Sequence, residues 1–321
     1  MNESLAQPLR ETSARPALSP NWLAWLRFKR NRPALISLIF LALLLGVMLA
    51  WPVFSSYSPD TLSTAQFQPP SAAHFCGTDV HGRDLLARIV YGARISLLVG
   101  AVGAGVSLII GVSWGAIAGY VGGRLDGAMM RVVDVLYCLP NIVFVIVLIT
   151  TLEHSFAALL PKSLGTNLNT SARLLLLFAG LGSISWLTMA RIIRGQVLSL
   201  RTRSFVEASR ALGASHARIL WQHILPNVYG IIIVYLTLTV PGVILYESFL
   251  SYLGLGIQPP MASWGSLIAE GASQLNPIRV YWWLIVFPGA ALVSALLALN
   301  FVGDGLRDAF DPRATVYLGV R

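Results

Sequence analysis

Glu207, Ser209, Arg210, His216, Arg218 and His223 fall within one polar stretch, 204–227, which reads SFVEASRALGASHARILWQHILPN and lies between two long apolar runs. These residue types make the stretch polar and charged without the pattern of a bond-making site. The chain has no Ser/His/Asp arrangement and no H-E-x-x-H run, and its five histidines are scattered. His216 and His223, seven apart, suit contacts with headgroups or a partner. The only lysines, Lys29 and Lys162, follow Phe28 and Pro161, so G-x-x-x-x-G-K-[ST] has no match and any energy from ATP must come through a partner. Cys76 and Cys138 form no C-x-x-C pair and read to different depths of the chain, which argues against a metal site or a mutual disulfide.

Within 204–227 the local signals predict a bent helix pair. Ser204 and Glu207 have the S-x-x-E spacing of a capping box. Gly213 stands where a short helix should stop, since glycine enters the left-handed region without a Cβ clash. A second helix is expected from Ser215, with Ala217, Leu220, Trp221 and Ile224 on one apolar stripe and Pro226 closing the segment before a membrane span. An amphipathic connector lying on a membrane would satisfy the same pattern. Glu207-Ala208-Ser209, Gly213 and Leu225-Pro226 together resemble the EAA loop of bacterial ABC importer permeases, which docks into ATPase subunits. Ser209 stands where that family usually has alanine, and His223 where it has isoleucine.

What must position this stretch is a membrane domain. The 321 residues are 55% apolar and 12% charged, against about 25% charged in soluble domains; mean hydropathy is +0.69. The net charge of +9 points to positive-inside topology and a lipid environment rather than to nucleic acid, because the basic residues cluster beside apolar runs. Residues 1–33 read as a cytosolic tail, loose to Pro20, with a basic amphipathic stretch over 22–28 on the headgroups. The first span is 34–54, too long for a signal-peptide core. An outer loop and elbow helix fill 55–94, and a core of five further spans fills 95–302. Those spans are expected at 95–120 (glycine-rich), 132–152 (broken in its ladder by Pro140), 174–193, 227–250 and 281–302, with an outer loop over 153–171. The docking loop occupies 194–226, a turn-rich outer scoop 251–280, and a cytosolic tail 303–321. With both termini inside, 17 of the 23 basic residues fall on the inner side, which fixes the orientation of a six-span, all-α protein.

Gly77 to Gly100, GTDVHGRDLLARIVYGARISLLVG, reads as polar turn chemistry at Thr78, Asp79 and Asp84, followed by an interfacial helix entering a span. As a pattern, G-T-D-x-x-G-R-D followed by G-A-R-x-S-L resembles the C-type permease of the dipeptide/oligopeptide/nickel importer family. The scoop motif SWGSLIAEG and the terminal GDGLRDAFDPR are similar to that family's as well. The resemblance implies an ABC type I importer permease in a bacterial inner membrane. It would work with a B-type permease, two ATPase subunits that hold ATP and magnesium, and an external substrate-binding protein. This chain would itself hold no cofactor and catalyse nothing. Implied substrates are di- or oligopeptides, nickel or other small solutes.

Two residues are pathway candidates, Glu247 and Trp264. Glu247 could draw cations into the pathway. Its place near the end of a span favours an interfacial carboxylate reaching water. Arg131 and Asp134, three apart, are expected to pair. An ion-coupled secondary transporter is the competing class; it calls for inverted repeats and midplane ionisable groups, and neither is evident. A non-transporting scaffold would not need spans so rich in glycine and broken by proline.

Overall fold

The computed structural model describes residues 20–55, 57–159 and 166–310. The tail before Pro20, Lys162 and the tail from Asp311 lie outside those residues. Among them the secondary structure is helical, apart from one isolated β-bridge between Thr78 and Asp84.

Helix α1 (Pro20–Arg30) and α2 (Arg32–Phe54) meet at Asn31, whose side chain accepts from Ala34 N and so caps α2. α1 does not rest on lipid alone. Ala24 and Phe28 are buried against the last helix, α11 (Trp283–Phe310). Arg27 donates to Ala309 O at 3.4 Å and Asn31 to Asp308 at 3.3 Å. Trp22, Trp25 and Leu26 face outward.

The hub is α3 (Leu85–Val121), 37 residues long. The elbow and the second span are therefore one helix, because nothing between Tyr91 and Ile95 interrupts the ladder. α6 (Thr166–Leu200) runs along it. The approach is close enough that a Cβ on Gly115 would collide with Ala190 O, which is why small residues line α3.

The third expected span is not a single helix. α4 (Gly123–Cys138) and α5 (Asn141–Leu159) meet at 92°. Leu139 is extended (φ −80, ψ 135), as a residue before proline prefers, and Pro140 has no N–H for the ladder. The loop expected over 153–171 is mostly helix, since α5 reaches Leu159 and α6 begins at Thr166.

Two short helices, α7 (Ser204–Ala211) and α8 (His216–Arg218), precede a π-helical turn, Ile219–Ile224, that runs directly into α9 (Leu225–Tyr252). α10 (Trp264–Ser273) covers the far ends of α3, α9 and α11. Among the described residues four helices are long and apolar enough to cross a membrane: α2, α3, the continuous run from His216 to Tyr252, and α11; the bent pair makes five, against six expected. The fourth expected span lies on α6. The last helix continues past 302 to Phe310, so the first part of the expected tail is helical.

Two apolar clusters close the ends of this bundle. At the α10 end, Leu85, Ile89, Ile244, Leu267 and Trp283 pack around Trp264. At the α7 end, Met189, Ile193, Val197, Val206, Ile219 and Ile224 pack together.

Candidate functional site

The candidate docking element is anchored before it begins. Arg194 on α6 pairs bidentately with Asp126 on α4, at 2.7 Å through Nη2. Arg201 then donates to Gly119 O and Tyr120 O at 3.3 and 3.4 Å, taking up carbonyls left open at the end of α3. After this turn the chain enters α7 with Arg203 as the N-cap, extended at φ −79, ψ 147. Ser204 is therefore the first helical residue, and the Ser204–Glu207 capping box does not form. The amides of Val206 and Glu207 bond to Arg203 O instead, which leaves the Glu207 side chain free of that role and exposed.

One side chain pins α7: Val206, fully buried. The other face, with Glu207, Ala208 and Arg210, is exposed. Ser209 is half-buried and turns its hydroxyl back to Phe205 O at 2.8 Å. The helix stops as the glycine requires. Gly213 has φ +81; its N–H donates to Arg210 O (3.0 Å) and Ala214 N–H to Ser209 O (3.1 Å), the two bonds of a Schellman turn. Leu212 is left 89% exposed, a large apolar side chain standing clear of the fold.

The second half differs from the expected helix. Ser215 does cap it, accepting from Arg218 N. The ladder then widens to a π turn, with Leu225 N bonded to Leu220 O. Ile219 and Ile224, five apart, are buried, as the wider turn dictates. The expected stripe is corrected accordingly: Leu220 is half-buried, Ala217 is exposed, and Trp221 is 67% exposed. Pro226 does not close the segment. It sits in the first turn of α9, exposed, with Leu225 half-buried beside it. His216 contacts the protein itself, 2.9 Å from Tyr120 Oη on α3. Asp134 pairs with Arg191 on α6 at 2.8 Å, not with Arg131, and the Arg191 guanidinium stacks over Tyr137.

At the α10 end both pathway candidates are buried. Glu247 does not reach water as an interfacial carboxylate would: Ser251 and Ser263 donate to its Oε1 at 2.6 and 2.7 Å, joining α9 to the start of α10. Trp264 is also fully buried, its indole donating to Ile89 O and its amide to Ser96.

The polar turn before α3 is a clamp. Asp84 caps α3 by accepting from Ala87 N and holds His74 at 2.8 Å. Asp79 accepts from Arg83 and Arg88, and Arg88 reaches on to Glu270 of α10, donating at 3.0 Å through Nη2. Arg88 is 3% exposed, so its charge depends on these two carboxylates. The Asp and Arg spacing is legible in the sequence, and Glu270 stands in the SWGSLIAEG run, but the pairing of Arg88 with it across 182 residues is not.

Comparison with known proteins follows the same division. Residues 111–316 match the family described as "Binding-protein-dependent transport system inner membrane component", and 19–70 match "N-terminal TM domain of oligopeptide transport permease C". The chain is 46% identical over 293 residues to the "Oligopeptide transport system permease protein OppC" of Haemophilus influenzae, covering 89% of this chain and 86% of that one. It is 43% identical over 300 residues to the "Dipeptide transport system permease protein DppC" of Bacillus subtilis, covering 93% and 88%. Among solved structures, a chain of the MetNI methionine ABC transporter in inward-facing conformations superposes with a TM-score of 0.52 at 20% identity, over 70% of this chain and 97% of that chain. At that identity the likeness concerns the fold, that of a type I importer permease.

Proposed function

The chain belongs to the binding-protein-dependent transport system inner membrane components, among the OppC- and DppC-type permeases, and from that membership we propose that it forms half of the pathway of an ATP-driven peptide importer. It is a non-catalytic, multi-pass permease subunit of the inner membrane. The names of the relatives favour di- or oligopeptides as cargo over nickel or another solute. The remaining partners in this reading are a B-type permease, two ATPase subunits that bind ATP and magnesium, and an external binding protein. This chain carries no cofactor, and both its termini are cytosolic, in keeping with the clustering of basic residues at the α7 end.

The observation that carries the reading is the shape of α7. It is fixed to the bundle at Val206, ended by the turn at Gly213, and presents Glu207, Ala208 and Leu212 to the outside. Leu225 and Pro226 lie where the same element enters α9. An ATPase cleft gripping α7 can push on α6 through the Arg201 turn and on α9 through the π turn. Closing two such clefts together would rock the spans between outward and inward access.

Gly213 tests this. A Cβ there meets nothing within 4 Å, so substitution acts through backbone strain alone, and asparagine tolerates the left-handed region far better than a β-branched residue. Gly213→Asn should keep the ATPase bound and peptide uptake near wild type. Gly213→Val should insert normally yet lose ATPase co-purification or hydrolyse ATP without uptake. Glu207→Ala should weaken co-purification, with no capping bond at stake. Wild-type coupling in Gly213→Val and Glu207→Ala would make this element a mere connector. Uptake of nickel but not of labelled peptides would overturn the cargo.

A further inference from the structure

At the α10 end, the last turn of α2 and the first turns of α3 enclose a cavity of about 310 Å³, within the range of about 300–1,000 Å³ usual for small-ligand pockets. Trp51, Tyr57 and Tyr91 supply aromatic walls, Pro52 and Val90 aliphatic ones, and Arg94 the charge. Pro52 has no N–H, so Met48 O, four residues earlier, loses its helical donor. Arg94 replaces it, donating from Nε at 3.2 Å and also from Nη2. That carbonyl is the guanidinium's sole hydrogen-bond partner among the described residues, and no carboxylate pairs with it there. Trp51 packs against the core beneath, and its Nε1 is buried out of reach of anything in the cavity. The cavity therefore holds a half-buried cation with no carboxylate in direct contact, although Asp60 and Arg94 both act on Tyr91 in its wall.

We propose that this cavity binds the phosphodiester of a bilayer phospholipid, with Arg94 as the charged donor. A cation at the edge of a span calls for an anionic partner. Tryptophan and tyrosine rings mark the headgroup level. The end of α2 beside the cavity leaves Val53 81% and Phe54 84% exposed, an apolar surface along which a lipid tail can lie. A soluble phosphate would supply the same oxygens but leave Pro52 and Val90 uncovered. The lipid would also brace α2, whose ladder Pro52 interrupts, against the hub helix.

The test is native mass spectrometry of the purified transporter complex titrated with phosphatidylglycerol, with and without millimolar inorganic phosphate. Wild type should retain one phospholipid on this chain, undisturbed by phosphate. Arg94→Gln should weaken retention about fivefold, the order of one arginine–headgroup contact. Arg94→Lys should retain most of the binding. Displacement by inorganic phosphate would show a soluble-anion site and overturn the lipid assignment. Equal retention in Arg94→Gln and wild type would overturn the site itself.

Discussion

Glu247 shows how a buried carboxylate can be structural in a membrane protein. Its Oε1 is the common acceptor for Ser251 and Ser263, and each of those hydroxyls also accepts a backbone N–H, from Ile257 and Ser266. One oxygen thus organises the end of α9, the loop beyond it and the cap of α10. Removing it strands two buried hydroxyl donors, at about 1–3 kcal/mol each. Glu247→Gln keeps Oε1 and should unfold near the wild-type temperature; Glu247→Leu should lower the midpoint by several degrees in the purified complex. Thermal scans of the two variants decide it, and equal midpoints would make the serine contacts incidental. The sequence placed Glu247 near a span end correctly. It could not reveal that the scoop folds back over it, because Ser263 becomes a partner only through tertiary packing. Trp264 is buried for the same reason: the segment that carries it packs against α3.

At the level of elements, the π turn is the feature that helical periodicity misjudges. Apolar residues at 217, 220, 221 and 224 fit an α-helical stripe, yet the buried pair is Ile219 and Ile224. The five-residue interval behaves as an α-helix with one residue inserted. Trp221, 67% exposed, is the residue to remove. Its deletion would restore α register and rotate α8 relative to α9 by about 100°, one residue's turn. The rotation would pull His216 away from Tyr120 and re-aim α7, while the apolar span from α9 onward is unchanged. Membrane insertion should be normal and ATPase co-purification lost. A deletion that still couples would mean that the π turn is a neutral irregularity. The bend at Leu139–Pro140 was half legible: the proline announced a broken ladder, but not the 92° angle, which depends on how α4 settles against α6 through Asp126–Arg194 and Asp134–Arg191.

For the whole molecule, apolar run length points to six spans, where four helices, or five with the bent pair, are long and apolar enough among the described residues. Helices extend past the bilayer wherever the chain offers a cap, as Asp84 does for α3, or no break, as at His216–Tyr252. Orientation rests on a different quantity, the distribution of arginine, and it can be tested against the fold. Thr64 and Ser273 are exposed at the α10 end, and Ala217 at the α7 end. Single cysteines at these positions, with the native thiols replaced by alanine, should divide cleanly. Thr64→Cys and Ser273→Cys should react with an impermeant maleimide in intact spheroplasts, and Ala217→Cys only after permeabilisation. Native Cys76 gives an internal check. Burial, and secondarily the charge of Asp84, push its thiol up to about 11, so little thiolate exists at neutral pH and its labelling should rise steadily as the medium is made alkaline. Because Cys76 lies in the loop before α3, that rise should appear in spheroplasts without permeabilisation. Labelling of Ala217→Cys from outside would invert the molecule, place α7 away from any cytosolic ATPase, and remove the physical basis for coupling through it.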